Sequence, residues 1–445
     1  MTTHDTPFDF IAIGLGPFNL SLACLTEPLR EHRGLFLERN AEFNWHPGML
    51  IEDSTLQNPF LADLVSLADP TSPFSYLNYC KQQGKIFSHF IRENFYLTRR
   101  EYNRYCRWAA SRLKNLRFDS DVTSIAHDEY SGLYRVIGRQ GVARRPFEFR
   151  CRRLVIGIGS APAFPPCCAQ TENLVHTAHY LDHKERLQSR RSITVIGSGQ
   201  SAAEVYRDLL KDSEHHGYAL HWITRSPRFF AMDTSKLAVE LLCPDYIDHF
   251  FALADEKKER IAREHRSVYN GVNAKLINEI YELLDEKRER PGFESHLLTN
   301  AELRSCRFDR HAAIYELGFF HTEQERAFRH RTEAVVFGTG YAPQVPAFVE
   351  SIRHRIRWDE RGRYEQARNY SVDVDGSAIF VQNGGFHRHG FTSPDLSLAC
   401  HRNAELIREI TGIEYYAVDY GTALQDFGPP TGTPWFEVEA HRVAS

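Results

Sequence analysis

No apolar run in this 445-residue chain comes near the roughly 20 residues that a transmembrane helix needs. The formal net charge is only −4, so no strong field favours nucleic acid or an anionic membrane as a partner. Residues 1–10 include Asp5 and Asp9 and lead directly into a predicted strand, so we expect no signal peptide. These absences favour a cytoplasmic, globular protein.

The nine cysteines form neither a CxxC pair nor an even disulfide framework, which is typical of a reducing compartment. The 22 histidines form local clusters only at His215-His216 and at His387-Arg-His389. Neither cluster has an apparent third ligand nearby in the sequence, so no metal site is predicted.

What the chain does contain is two glycine-rich turns, each of which follows an apolar run. The length suits two or three domains, and 42% hydrophobic with 25% charged residues is a globular composition. The first turn reads Gly14-Leu-Gly16-Pro17-Phe-Asn19, and the second reads Gly197-Ser-Gly199-Gln200-Ser201. Two such turns suggest two dinucleotides, as in a flavin enzyme that a nicotinamide reduces.

The first turn lies in a predicted βαβ unit, with a strand over 8–14, a helix over 18–29 and a second strand from Gly34. That second strand ends at Glu38-Arg39, where an acid can accept hydrogen bonds from ribose hydroxyls. The glycines let the backbone approach a pyrophosphate at a helix N-terminus. Asn19 stands where the usual pattern has its third glycine.

The second turn predicts a site for a phosphorylated nicotinamide dinucleotide. The strand 218–224 that follows its helix ends in Arg225, with Arg228 close behind, where an NAD site would have an acid. Arginine suits a 2′-phosphate, so NADPH is favoured over NADH. Gln200 and Ser201 can donate to the pyrophosphate. The alternative is that Arg225 is a solvated surface residue.

Two more strands, at 154–159 and 334–341, end in glycine turns and indicate crossings between the two nucleotide domains. We therefore predict an α/β fold with two Rossmann-like dinucleotide-binding domains, for FAD and NADPH, and a small helical substrate-binding subdomain. The predicted ranges are a discontinuous FAD-binding domain over 1–165 and 336–445, an inserted NADPH-binding domain over 166–335, and the helical subdomain over 240–295.

The segment between the first βαβ unit and residue 100 is rich in Pro, Phe and Asn and has little periodicity, which is typical of a long loop that lines a site. The capping box Thr98-Arg-Arg-Glu101 predicts a helix that continues to about Leu113. Helical spacing in 274–284 likewise predicts a buried face that includes Tyr281.

Two classes of flavoprotein are excluded by missing motifs: disulfide reductases need CxxxxC, and Baeyer–Villiger monooxygenases carry FxGxxxHxxx(W/Y/F). The motifs that are present come in a fixed order over nearly the whole chain. They are GLGPFNL, Trp45-His46-Pro47-Gly48-Met49, Asp69-Pro-Thr-Ser-Pro73, GSGQSA, Gly338-Thr-Gly-Tyr341 and His389-Gly390 with Leu396-Ser397. In this order they resemble the microbial N-hydroxylating flavin monooxygenases, the lysine and ornithine N-monooxygenases of hydroxamate siderophore synthesis.

The resemblance implies that NADPH reduces FAD, that a C4a-hydroperoxyflavin forms with O₂, and that a neutral primary amine is hydroxylated. It places Gln57 near the isoalloxazine and Asn270 on a bound NADP⁺, and these two are the catalytic candidates. The flavin contacts that it implies are Trp45, His46, Met49, Tyr341, Leu396 and Ser397. Family members are commonly dimers or tetramers, so a homo-oligomer is expected.

Two departures from the family pattern concern the substrate. The family's amino-acid hydroxylases read FLKDLV, whose lysine meets the α-carboxylate, whereas this chain has Ala62 there. A second carboxylate contact, an asparagine in the ornithine enzymes, falls near Val239. Neither side chain can pair a carboxylate, so the resemblance implies a diamine such as cadaverine or putrescine. The acceptor for its second ammonium is Asp395 or Glu240, unless Asp395 is only a helix N-cap.

Three alternatives stay open at this point. One is lysine or ornithine N-hydroxylation by the same chemistry. Another is an NADPH oxidase or flavin reductase that releases peroxide instead of coupling oxygen to an amine. The third is a nucleotide-binding protein without turnover.

Overall fold

The structure, a computed structural model, describes residues 6–429. Asp5 and the outermost parts of the predicted FAD-binding domain, 1–5 and 430–445, lie outside the described residues. In chain order the strands are β1 Phe8–Ile13, β2 Gly34–Leu37, β3 Thr55–Pro59, β4 Tyr96–Thr98, β5 Leu116–Arg117, β6 Ser120–Asp128, β7 Leu133–Gln140, β8 Arg145–Ile156, β9 Ser160–Pro162, β10 Val175–His176, β11 Ser192–Ile196, β12 Ala219–Ile223, β13 Leu297–Leu298, β14 Ala301–Asp309, β15 Ile314–His321, β16 Arg326–Thr332, β17 Ala334–Phe337, β18 Tyr341–Pro343 and β19 Ile379–Val381.

Helices connect these strands and cover the sheets. The α-helices are α1 Pro17–Thr26, α2 Tyr76–Gln82, α3 Ile86–Arg92, α4 Arg99–Ala110, α5 Tyr180–Gln188, α6 Gln200–His216, α7 Lys236–Val239, α8 Pro244–Ala252, α9 Asp255–Glu264, α10 Arg266–Tyr269, α11 Ala274–Lys287, α12 Phe386–His389 and α13 Ala399–Thr411. Short 3₁₀ helices lie at Pro47–Met49, Pro166–Cys168, Thr177–His179, Glu240–Leu242, Ala347–Arg355, Gly390–Thr392 and Leu396–Leu398.

The first sheet has the order β5-β2-β1-β8-β7-β6, and its central strands are parallel. The long strand β8 pairs with β7 through its first half and with β19 through its last three residues. Phe10 and Ala12 of β1 face one hydrophobic cluster, while Ile11 and Ile13 face another on the opposite side of the sheet. Burial on both faces explains why β1 is a continuous apolar run.

The second sheet is wholly parallel, in the order β10-β17-β11-β12-β13. The antiparallel sheet β14-β15-β16 packs on one face through Leu317 and Phe319, and α6 and α11 pack on the other. Each of the two glycine turns thus follows a central parallel strand, which is where such folds bind nucleotides.

Two chain segments cross between the sheets, and they pair with each other. Strands β9 and β18 follow the predicted crossings, and Tyr341 lies opposite Pro162 in their antiparallel ladder. His176 adds a hydrogen bond of 3.0 Å between its Nε2 and the carbonyl oxygen of Gly340. The crossings are therefore held side by side.

Several local predictions can be compared directly. Thr98 caps α4 by accepting from the Glu101 amide, and that helix ends at Ala110 rather than Leu113. The segment predicted as a long loop contains the short helices α2 and α3. Tyr281 is 65% exposed, so its predicted place on the buried face of α11 is wrong. Within residues 6–429, no helix combines the length and apolarity needed to cross a bilayer.

Candidate active site

The first glycine turn is shaped to receive a phosphate group at the start of α1. Gly14 has φ +85°, and a Cβ there would lie 2.5 Å from the Gly157 carbonyl oxygen. At Gly16 a Cβ would meet no atom within 4 Å, so the space beside it is open. Gly16 is also the N-cap of α1, with Pro17 in the first turn. A helix start with open backbone beside it is a binding site for an anion.

Asn19 holds this turn closed rather than lining the open space. Its Nδ2 donates to the Gly14 carbonyl oxygen at 2.7 Å, and a Cβ on Gly157 would come within 2.4 Å of that nitrogen. The third glycine of the usual pattern allows the helix to pack closely on the strand. Here Asn19 occupies that position and is accommodated because Gly157 has no side chain. The sequence predicted a cofactor contact at Asn19; the geometry gives it the role of fastening the start of α1 to the end of β1.

Glu38 lies at the end of β2, beside the turn. Its Oε2 accepts from the Leu15 amide at 2.7 Å, and its Oε1 accepts from the Asn40 amide at 2.9 Å. The carboxylate is 9% exposed and is thus fixed in orientation next to the glycine turn. Each oxygen retains capacity for a further donor, as a ribose contact requires. Arg39, in contrast, is exposed.

The Trp45–Met49 segment joins the two sheets. His46 has φ +47°, an uncommon conformation for a residue other than glycine. Its ring packs edge-on against Trp45 and Tyr341, at 4.9 and 5.7 Å between centroids. Burial, with a smaller contribution from Arg99, lowers the pKa of His46 to about 4, so the imidazole is neutral at pH 7. Met49 packs into the core of the second sheet, which differs from the flavin contact expected for it.

Gln57 presents an unpaired amide within the site. Its Oε1 and Nε2 are both buried, and neither has a hydrogen-bond partner among the described residues. A buried amide without partners costs free energy, so its persistence indicates a polar ligand. Gln57 lies in β3, next to Asn58, whose Nδ2 donates to Asp395 Oδ1 at 2.8 Å. Two predicted site residues that are remote in the chain, Gln57 and Asp395, are thus brought together through Asn58.

Asp395 is the N-cap of the 3₁₀ helix that contains Leu396 and Ser397. Its Oδ1 accepts from the Ser397 amide at 2.8 Å and from the Ser397 hydroxyl, besides Asn58. Asp395 therefore acts as a helix N-cap, which was the alternative considered for it. Its Oδ2 has no hydrogen-bond partner within residues 6–429, so one acceptor remains for a ligand.

Position 62 is apolar and enclosed. Ala62 is 7% exposed, and its amide donates to the Pro59 carbonyl oxygen in a turn that follows β3. The neighbouring Asp63 uses both carboxylate oxygens within the loop, where they accept from Ser66 and from the Tyr76 amide. Neither residue provides a cation for a substrate carboxylate.

The second glycine turn repeats the design of the first. Gly197 has φ +124°, and a Cβ there would lie 2.2 Å from the Gly338 carbonyl oxygen, while Gly199 faces open space and caps α6. The Gln200 side chain is engaged elsewhere: its Nε2 donates to Glu204, and its Oε1 accepts from the Asn273 amide. Ser201 accepts from Thr177 at 3.3 Å. Backbone amides, rather than the Gln200 side chain, are available for a pyrophosphate.

Arg225 follows β12 directly, at the carboxyl edge of the second sheet. It is exposed, and within residues 6–429 its guanidinium has neither an ion pair nor a hydrogen bond. The preceding Thr224 is buried and accepts from the Ser226 amide, which fixes the backbone on both sides of the arginine. An unpaired guanidinium at this edge suits a 2′-phosphate.

Two of the three residues predicted from the helical region are exposed at the surface. Asn270 is exposed at the end of α10, and Val239 is 42% exposed at the end of α7. Glu240 is also occupied: its carboxylate accepts from the Leu424 and Gln425 amides. Both Glu240 oxygens are thus engaged by the chain's C-terminal segment, and an ammonium contact at Glu240 stays a prediction.

One connection in the site escaped the sequence analysis. Arg99 of α4 lies 3.3 Å from the carboxylate of Glu204, a buried acid on α6 that also accepts from Gln200. This pair links helices that cover different sheets. The only sequence signal was a lone acid in the apolar stretch Ala202–Val205, and no pattern pointed to its partner.

Comparison with known proteins identifies a family and several relatives that match most of the chain. The family described as L-lysine 6-monooxygenase/L-ornithine 5-monooxygenase matches residues 6–343. An alcaligin biosynthesis enzyme of Bordetella pertussis is 53% identical, over 95% of this chain and 92% of its own length. A putrescine N-hydroxylase of Shewanella oneidensis is 45% identical, over 95% of this chain and 85% of its own.

A solved structure is also similar over almost the whole chain. The FAD-bound cadaverine monooxygenase of the desferrioxamine pathway, from Erwinia amylovora, has a TM-score of 0.93 and 48% identity, and the match covers 96% of this chain and all of that one. The chain is a member of the L-lysine 6-monooxygenase/L-ornithine 5-monooxygenase family.

Proposed function

We propose that this protein hydroxylates one terminal amine of an aliphatic diamine, cadaverine or putrescine, with FAD and NADPH as cofactors, and that the product enters a hydroxamate siderophore. Family membership supports N-hydroxylation, and relatives that act on cadaverine and putrescine support the diamine. FAD and NADPH agree with the ligands bound in solved relatives.

The observation that carries the substrate class is the enclosed Ala62. An amino acid brings a carboxylate into the site, and burying that charge without a cationic partner costs several kcal/mol. A diamine has no carboxylate, so an alanine at position 62 leaves nothing unpaired. Asp395 Oδ2, which has no other partner among residues 6–429, can accept a hydrogen bond from the distal ammonium.

The residues present fit both cofactors. Open space beside Gly16 and Gly199 accommodates two pyrophosphates, Glu38 is oriented for a ribose, and Arg225 is unpaired for a 2′-phosphate. When bound, reduced FAD supplies the activation of O₂. The protein supplies position: Gln57 would offer its buried amide to the flavin. His46 is neutral and would add no charge that repels a cationic substrate.

We extend the proposal to organisation and location. The FAD-binding part is assigned to 1–165 and 336–445, the NADPH-binding part to 166–335, and a helical subdomain to 240–295, with the division of strands between two sheets as support. Nine free cysteines favour the cytoplasm. A homo-oligomer is supported by α3, where Phe87, Phe90 and Ile91 are 73–76% exposed.

The reaction is tested by stoichiometry. With cadaverine or putrescine, the hydroxylamine formed should nearly equal the NADPH consumed. A flavin oxidase would instead convert NADPH and O₂ into H₂O₂ at a rate that does not depend on the amine. Peroxide in place of hydroxylamine with every amine would overturn the proposal, and so would failure of NADPH to reduce the flavin.

A further inference from the structure

Three histidines and a glutamate meet on one face of the second sheet. His221 lies on β12, Glu294 and His296 lie in the segment that runs into β13, and His330 lies on β16. These residues come from three separate stretches of the chain. Because its members are remote in the sequence, no local pattern of histidines indicates this cluster.

Backbone pairing explains why Glu294 and His296 flank His221. The amides of Leu220 and Trp222 donate to the carbonyl oxygens of Glu294 and His296, at 3.0 and 2.9 Å. The parallel ladder with β12 thus begins before β13 itself. Because side chains alternate between the faces of a strand, Glu294 and His296 project on the same side, beside His221.

The side-chain geometry is that of a ligand set. Ligand atoms of His221, Glu294 and His296 all lie within 4.8 Å of one another. The His221 and His296 rings stack at 5.3 Å between centroids, and His221 Nε2 is 4.0 Å from a Glu294 oxygen. His330 packs edge-on against His221 at 5.0 Å, but its Nε2 is taken by the Thr194 hydroxyl at 2.9 Å. His330 therefore packs against His221 and is not counted among the metal ligands.

His221 is the part of the cluster that ordinary packing does not explain. It is only 5% exposed, its Nδ1 is buried without a partner, and its Nε2 makes no hydrogen bond within residues 6–429. A buried imidazole nitrogen without a hydrogen-bond partner is available to bind a metal ion.

We propose that His221, Glu294 and His296 form a binding site for one divalent transition-metal ion of the zinc class. Two imidazoles and one carboxylate are a ligand set that zinc commonly takes, with water in a fourth position, whereas Mg²⁺ prefers oxygen ligands alone. The ion would bridge β12 to the segment before β13 and so clamp the edge strand of the sheet. The proposed ion takes no part in the flavin chemistry, and its site does not depend on the proposed function.

The test is a calorimetric titration of the FAD-loaded, chelator-treated protein with Zn²⁺. We expect one Zn²⁺ per chain, no comparable binding of Mg²⁺, and a Zn²⁺-dependent rise in melting temperature, because a ligand that binds only the folded state stabilises it. The exposed ligand variants His296→Ala and Glu294→Gln avoid disturbing the core, and His296→Ala should weaken binding tenfold or more.

His354→Ala is the matched control, because His354 is exposed and lies far along the chain from the cluster. It should leave the affinity and the rise in melting temperature unchanged. Binding that survives His296→Ala would overturn the proposal. So would a Zn²⁺ site that is lost on replacing His215 or His216 instead, or the absence of saturable Zn²⁺ binding.

Discussion

Gln57 and Gln382 are two glutamines whose buried amide groups have opposite surroundings. Gln382 donates from Nε2 to Asn403 at 2.7 Å, and its Oε1 lies 3.4 Å from Arg402. Both polar atoms of Gln57 are buried and unpaired. The first amide holds the protein together, while the second raises the free energy of the protein alone and is available for a ligand.

Gln57→Leu should therefore leave the melting temperature of the FAD-free protein unchanged or raised, because it removes an unpaired amide. It should also weaken FAD binding and lower the yield of hydroxylamine per NADPH. The control is Gln382→Leu, which breaks a satisfied network and should cost about 1–3 kcal/mol of stability. Thermal melting with and without FAD measures both. Equal destabilisation of the FAD-free protein by the two variants would contradict this reading of Gln57.

Ala62 offers a test of charge at a single position. Ala62→Lys introduces an ammonium near the bound amine, so it should raise the KM for cadaverine and putrescine more than it affects any weak turnover of lysine. Ala62→Met is the matched control, since it adds similar length without charge. Steady-state kinetics with each amine give the comparison. If both variants lower diamine turnover equally, the effect is steric and position 62 does not distinguish substrates.

At the scale of elements, the C-terminal segment 421–427 is fastened to α8 by charge and by an aromatic contact. Asp245 accepts from the Thr422 hydroxyl and from the Gly421, Thr422 and Ala423 amides, and these bonds outweigh its burial and lower its pKa to about 2. Phe427 packs edge-on against Tyr246 at 5.0 Å. Tyr246 in turn stacks on Phe391 at 5.3 Å, in the loop that leads to Asp395.

Asp245→Ala should release this segment. The amides of 421–425 should then exchange with solvent faster, while those of α6 should be unaffected. Asp233→Ala is the control, because among residues 6–429 the carboxylate of that acid accepts only from Ser235 in its own loop. Hydrogen exchange read by mass spectrometry distinguishes the two. Unchanged exchange in 421–425 would show that the Glu240 contacts and Phe427 suffice to hold the segment.

Elements with a strong local pattern could be predicted from the sequence, and elements held by distant contacts could not. Strand β1 and the turn at Gly14 follow from an apolar run and two glycines. The role of Glu240 depends on Leu424, 184 residues away, and no periodicity reports such a contact. Helix α3 was missed because its apolar residues Phe87, Phe90 and Ile91 face solvent instead of a core.

For the whole molecule, the exposed apolar residues Phe87, Phe90 and Ile91 of α3 predict association into a homo-oligomer. A double variant, Phe87→Asp with Phe90→Asp, should shift the protein toward a monomer in sedimentation, because the charges would be buried unpaired at an interface. Tyr130→Asp alters a fully exposed aromatic residue elsewhere and is the control. A protein whose sedimentation is the same in both variants would place the interface on another surface.

The two-sheet plan, both nucleotide turns and the family were within reach of the sequence, because each depends on short motifs in a fixed order. Within the candidate site, Gln57, Glu38 and Arg225 were also singled out from those motifs. The parts that were not foreseen join segments that are remote in the chain: Arg99 with Glu204, Asp395 with Asn58, and His221 with Glu294 and His296. Only the folded chain brings them together.

The central claim, a diamine substrate, is tested most directly by kcat/KM for hydroxylamine formation across diamines of different lengths beside lysine and ornithine. The account predicts that cadaverine or putrescine exceeds both amino acids by roughly tenfold or more, since an uncompensated carboxylate in the transition state costs at least about 1.4 kcal/mol. Lysine or ornithine turned over as well as the best diamine would contradict it.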